Sequence, residues 1–211
     1  MYKRNILIVD DNTKVKTLYI PQYQQIAQNI KSSFKEYDKY ELKFESEETI
    51  EGAIDCLQKG FMVDVLIIDY KFLNSYDGKN GTYLVDYIRN NINRHCRVLF
   101  YTMHEVGDIP HSEIVSLINN QIYRFIDKGK TSNEEFVKIM FEAAVSCDIV
   151  ITALERFWDQ YKEILVNSNF TFANKNYSFE EVINHIRMDD ELGRVVVDKL
   201  LHRALIELIE Y

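Results

Sequence analysis

The chain has 211 residues, 46% of them hydrophobic and 27% charged, with 7 Gly and 2 Pro, which suits one domain of ordinary size plus something smaller and excludes a disordered or fibrous chain. Its formal charge is −8, from 33 acidic and 25 basic residues, so the overall field repels phosphate backbones and anionic membranes, and no nucleic-acid or membrane partner is expected. Cys56, Cys96 and Cys147 form neither an even set nor a CxxC pair, and the four apolar residues after Asn5 are too few for a secretion signal, so the reading is a cytoplasmic protein with reduced thiols.

Ile6-Leu7-Ile8-Val9 is a short apolar run closed by Asp10 and Asp11, the pattern of a strand buried on both faces. A helical stretch over about residues 14–36 follows, with Pro21 set to kink or split it. Tyr40-Glu41-Leu42-Lys43-Phe44 alternates in a way that suits a strand nearer the sheet edge. Next come a helix over about 47–59, the run Val65–Ile68 ended by Asp69, and a helix over about 81–92. The run Val98–Tyr101 ends in Thr102, a helix over about 112–119 follows, and the run Ile122–Ile126 leads to Asp127 and Lys128. Strand and helix alternate throughout, which points to a parallel sheet with right-handed crossovers and helices on both faces.

Beyond Lys128, Phe136, Met140, Ala143, Cys147, Val150, Leu154, Phe157, Tyr161 and Ile164 recur at spacings of four and three, with no Gly or Pro between them. That predicts one long helix with an unbroken seam. Its first third would pack on the sheet, and the rest against a second copy of the chain or the C-terminal helices. Residues 167–176 read as a polar connection. Ser178 with Glu181 is a capping-box signature for a short helix. Asp189 and Asp190 open a last helix, whose Leu192, Val196, Val197, Leu200, Leu201, Ala204, Leu205 and Leu208 make an apolar face too wide to leave in water. From Ile149 onward there are 7 basic and 11 acidic residues, a balance of −4, with no basic recognition helix. A protein-interaction or dimerisation module fits that balance better than a DNA-binding one.

Parallel topology brings Asp10, Asp11, Asp69, Thr102 and Lys128 to one rim, where open α/β sheets place their ligands. Three crowded carboxylates need protonation or a cation, and hard oxygen donors in this number suit Mg²⁺ with positions left open for water and a phosphoryl oxygen. The lysine can neutralise a second oxygen and the hydroxyl can bond a third. Such a set is an apparatus for phosphoryl transfer to a carboxylate. His95, His104, His111, His185 and His202 show no metal spacing; His104, two residues past Thr102, is the one placed to reach the rim.

In order along the chain, Ile6–Asn12, Asp64–Asp69, Val98–Thr102 and Phe125–Lys128 resemble the receiver domain of two-component response regulators, over roughly residues 3–148. The resemblance implies a flavodoxin-like, doubly wound five-stranded parallel sheet of order 2-1-3-4-5, with a receiver domain at 1–148. Residues 149–211 are expected to form an all-α helical module continuous with its last helix. The resemblance further implies that Asp69 accepts a phosphoryl group from a histidine kinase or phosphotransfer protein. Asp10, Asp11, Asp69 and the backbone carbonyl of Lys71 would hold Mg²⁺, and Lys128 would contact the phosphoryl group. Thr102 would move toward it and let the ring of Phe125 turn inward.

The loop from Tyr70 to Gly81 is longer than is usual in that family and lacks its proline, Met103 stands where a small residue is general, and Gly129 replaces a proline. The expected function is a phosphorylation-switched response regulator without substrate turnover of its own, signalling through its tail as a homodimer or with a helical partner protein. A pseudo-receiver adaptor that binds a partner without phosphorylation is the alternative. A Mg²⁺-dependent phosphohydrolase is disfavoured because the sequence shows no separate general acid.

Overall fold

The computed structural model describes residues 2–73, 78–92, 95–103, 106–146 and 149–209. Five parallel strands, β1 (Tyr2–Val9), β2 (Tyr40–Glu47), β3 (Val65–Ile68), β4 (Arg97–Thr102) and β5 (Arg124–Asp127), form one sheet in the order β2-β1-β3-β4-β5. The alternating strand β2 takes an edge, whereas β3, with all four residues buried, takes the centre, as half-buried and fully buried strands should.

Between and after the strands run α1 (Ile20–Ser33), α2 (Ile50–Gln58), α3 (Gly81–Asn91), α4 (His111–Asn119) and α5 (Asn133–Val145). Side chains alternate along each strand, so the sheet feeds two cores. Ile6, Ile8, Val65, Ile67 and Leu99 join residues of α1 and α5 on one face, while Leu7, Val9, Leu66, Ile68, Val98 and Phe100 join α2, α3 and α4 on the other. Thr49, Asn80 and Ser132 each accept a backbone N–H from the first turn of α2, α3 and α5, the usual work of an N-cap. The stretch around Pro21 stays helical: a π-helical turn, Val15–Tyr19, runs straight into α1, and the Ile20 amide reaches back to the Val15 carbonyl.

The single long helix expected after Lys128 is instead described as two, α5 and α6 (Ile149–Leu165). Helix α5 ends at Ser146, whose ψ of 17° leaves the helical range. Arg4 Nε, in a side chain buried to 1% exposure, donates to the Ala144 carbonyl at 3.1 Å, and the Arg97 guanidinium donates to the Ser146 carbonyl from both Nε and Nη2. These bonds tie the C-terminal end of α5 to β1 and β4. Cys147 and Asp148, and with them the Cys147 position of the expected seam, lie outside the described residues.

The chain divides into two compact units, Met1–Ser146 and Cys147–Tyr211. The second contains α6, a hairpin of β6 (Asn169–Phe172) and β7 (Lys175–Ser178), then α7 (Phe179–Met188) and α8 (Glu191–Ile209). The hairpin replaces the expected polar connection and adds a small two-stranded sheet to the helical tail. Its two-residue loop, Ala173-Asn174, has φ of 47° and 62°, a tight turn whose twist matches paired strands. The expected seam on α6 also shifts. Ile151, Leu154, Trp158 and Leu165, at spacings of three, four and seven, pack inward while Phe157, Tyr161 and Ile164 stay exposed, and the backbone angles at Tyr161 (φ −120°, ψ 24°) kink the helix between them. The Ser178–Glu181 capping box forms as read. Phe179 beside it stacks on Trp158 at 5.4 Å and 7°. No helix among the described residues is long and apolar enough to cross a membrane.

Candidate functional site

The alternation that builds the two cores also builds the site. Asp10 continues the face of Ile8, Asp69 that of Ile67, Tyr101 that of Leu99 and Lys128 that of Ile126, all at the C-terminal edge of the sheet. Backbone bonds hold the residues just past the strands: Asp69 N–H donates to the Val9 carbonyl at 3.0 Å and Lys128 N–H to the Thr102 carbonyl at 3.0 Å.

Lys128 Nζ donates to Asp10 Oδ2 at 2.6 Å and to Asp69 Oδ2 at 2.8 Å. Other carboxylate oxygens accept backbone amides: Asp10 Oδ1 from Asn12 at 2.9 Å, Asp69 Oδ1 from Tyr70 at 2.7 Å, and Asp11 Oδ2 from Leu73 at 2.6 Å. Asp10, Asp11 and Asp69 each bring an oxygen within 4.8 Å of the others'. The cluster opens into a cavity of ≈ 450 Å³, whose lining also includes Tyr19, Tyr23, Tyr101 and Met103.

Three carboxylates against one ammonium leave a surplus of negative charge. Burial pushes the Asp69 carboxyl above its ordinary value despite the opposing Lys128 ammonium, and the Asp10 charge adds to the rise. Burial also works against the Lys128 charge, but the Asp69 and Asp10 carboxylates outweigh it and hold the ammonium above the ordinary lysine value. Clustered hard oxygens with uncompensated charge fit Mg²⁺, and Asp10, Asp11 and Asp69 are the side chains that would hold it.

Not every expected residue joins the cluster. Thr102 is buried to 3% exposure at the end of β4, where alternation with Tyr101 puts it on the Phe100 face. Phe125 is half-buried on that same side, its ring edge-on to Phe100 at 5.2 Å. Lys71 has an exposed side chain two residues beyond Asp69. Met103 is 68% exposed while lining the cavity. His104 and residues 74–77 of the long loop lie outside the described residues.

Three participants escaped the sequence reading. Tyr101 lies under Lys128, with Nζ 5.1 Å from its ring centroid, and stacks on Phe136 at 4.0 Å and 15°. It is hydrogen-bonded to Tyr23, and burial pushes both phenols up. Its position in step with Leu99 was the available signal. Gly81 opens α3 so close to the site that a Cβ there would stand 2.2 Å from the Asp69 carbonyl oxygen. A glycine starting a helix directly after the acceptor loop could have marked that approach. Glu113 of α4 accepts from Asn80 Nδ2 at 2.7 Å and Thr82 Oγ1 at 3.0 Å. Nothing local in the sequence marks that contact across more than 30 residues.

No family model matches the sequence, and no curated protein matches it. Solved structures match in fold. A response regulator receiver protein from Pseudomonas putida superposes with a TM-score of 0.50 at 15% identity, over 67% of this chain and 98% of that one. A CheY-like response regulator receiver domain protein from Methanospirillum hungatei gives a TM-score of 0.46 at 18% identity, over 66% of this chain and 91% of that one. The five-stranded sheet with its flanking helices has the receiver fold that the sequence led one to expect.

Proposed function

We propose that Asp69 accepts a phosphoryl group in a Mg²⁺-dependent reaction and that the first unit serves as the receiver of a response regulator. The observation that carries this reading is the Lys128 ammonium bonded to both Asp10 and Asp69, beside Asp11, at the open edge of a receiver-fold sheet. In the reaction an Asp69 carboxylate oxygen attacks phosphorus while the bond from phosphorus to the leaving group breaks. The leaving group departs with the electron pair, as a carboxylate from a small acyl phosphate or, after taking up a proton, as imidazole from a phosphohistidine. Lys128 turns from Asp69 Oδ2 to a phosphoryl oxygen and keeps its bond to Asp10. Bound Mg²⁺ supplies further positive charge for the developing phosphoryl charge. Asp10 and Asp11 hold that charge in place, and the Lys71 carbonyl is a fourth oxygen within the same loop. Thr102 and Phe125 are the switch residues, and the Phe100–Phe125 contact gives the ring a packed starting position.

A histidine kinase or phosphotransfer protein is the fitting donor, in the cytoplasm. The output is carried by the second unit through protein contacts. A constitutive adaptor is the second reading, favoured by Met103, whose side chain lines the cavity beside Asp69. Incubation with acetyl phosphate and Mg²⁺ separates the two. An acid-stable, base-labile phosphoprotein that Asp69→Asn abolishes supports phosphorylation. A wild-type chain that stays unmodified, or an adduct that survives Asp69→Asn, sinks it.

A further inference from the structure

We propose that the C-terminal half of α8 is a self-association surface, occupied by the same segment of a second copy of this chain running antiparallel to it. The inference deepens the reading of the second unit as the output module and rests on that reading for its purpose.

Helix α8 presents two apolar faces. Leu192 and Gly193 bury the first within their own unit, so closely that a Cβ on Gly193 would stand 2.2 Å from the His185 carbonyl oxygen. From Asp198 to Ile209, by contrast, every residue is exposed. Leu200 is 45% exposed, Leu201 53%, Leu205 57%, Leu208 74% and Ile209 81%. At about 100° per residue these side chains, with Ala204, fill one half of the helix circumference. Within its own unit this stretch borders the hairpin, where Lys199 Nζ lies 5.9 Å from the Phe172 ring centroid and Leu200 and Arg203 line a pocket with Phe170 and Phe172; three turns of helix this exposed are marginal in water, and an apolar face this wide belongs at an interface.

The spacing indicates the occupant. Val197, half-buried, and then Leu201, Ala204 and Leu208 recur at four, three and four, a heptad seam lying about 130° round the helix from the face through Leu192 and Val196. Small residues and leucines alternate along it. A parallel pair would set Ala204 against Ala204 and leave a gap. An antiparallel pair sets Leu201 against Ala204 and Leu208 against Val197, one large and one small side chain in each layer. Beside the seam, Asp198 then meets Leu205 of the other copy and Glu207 meets Leu200, so no like charges are opposed. The helix dipoles also run in opposition. Covering the exposed parts of these side chains on both copies removes on the order of 1,000 Å² from water, the lower bound for a specific interface. A dimer of that size is concentration-dependent and open to regulation.

Sedimentation equilibrium on the full chain, without phosphodonor, tests this. The wild type is expected to pass from monomer to dimer as concentration rises. Leu201→Glu combined with Leu208→Glu is expected to stay monomeric throughout, with the wild-type circular dichroism spectrum and acetyl phosphate adduct retained. Under oxidation, a mixture of Val197→Cys and Leu208→Cys chains is expected to cross-link beyond the wild-type background, and Leu208→Cys alone is not. A monomeric wild type, a dimer that survives the double glutamate variant, or a Leu208→Cys cross-link with itself would overturn the proposal. The adduct assay reads phosphorylation separately, so failure of the surface and failure of the phosphoacceptor reading are told apart.

Discussion

Asp69 carries a charge that burial disfavours, and Lys128 offsets only part of that cost. Because folding raises the Asp69 carboxyl, the native state binds more protons than the unfolded chain between the ordinary and the raised value. Stability therefore falls as the pH rises through that window. Lys128, also raised, works at the other end: its contribution is complete below the ordinary lysine value and is lost as the pH rises through the folded value. Asp69→Asn should remove the acid-side fall and stabilise the protein at neutral pH by on the order of 1 kcal/mol. Thermal midpoints of both chains across the pH range check this, and an unchanged profile would contradict it. Mg²⁺ should relieve the same repulsion, adding about 2.7 kcal/mol at a hundredfold excess over its Kd. Asp11→Asn spares the bonds of Lys128 to Asp10 and Asp69, yet should lose most of that gain in a Mg²⁺ titration of the thermal midpoint. A full Mg²⁺ response in Asp11→Asn would remove that residue from the metal site. The clustered residues were legible because each ends an apolar run, and parallel topology carries all such ends to one rim. Tyr101 went unread although it keeps step with Leu99, because its role also depends on Tyr23, a partner on the distant helix α1.

The strands announced themselves as short apolar runs, and β2 as an edge by its alternation. What stayed hidden were features set by distant partners or by backbone angles. The end of α5 is tied to the sheet by Arg4 and Arg97, whose guanidinium groups donate to the Ala144 and Ser146 carbonyls from 140 and 49 residues away. The β6–β7 hairpin turns at Ala173-Asn174 without the glycine that usually marks such a loop. At the start of α3 the constraint is steric. Gly81→Ala would press a methyl group into the Asp69 carbonyl oxygen and Ile68, at a cost of about 2–4 kcal/mol. Urea unfolding should report that loss and acetyl phosphate labelling a slower adduct, because the displaced backbone belongs to the acceptor itself. Wild-type values in both would mean that the helix yields without disturbing Asp69.

The molecule pairs a sheet-based unit that can hold a reactive carboxylate with a helical unit whose last helix leaves Leu201, Leu205 and Leu208 uncovered. The heptad reading placed the interaction seam on the helix after Lys128. On that helix Phe157, Tyr161 and Ile164 do stay exposed, while Ile151, Leu154, Trp158 and Leu165 line the unit's own core, and α8 adds a second uncovered apolar surface. The self-association surface shares no residue with the phosphoacceptor site, and the two activities can be measured apart. The central claim concerns the acceptor, and reductive trapping reaches it most directly. The chain is incubated with acetyl phosphate and Mg²⁺, treated with borohydride, and mapped by mass spectrometry for homoserine, the product of reducing an aspartyl phosphate. The expected result is homoserine at position 69 alone, dependent on Mg²⁺. Homoserine at Asp10 or Asp11, or none at all, would contradict the account.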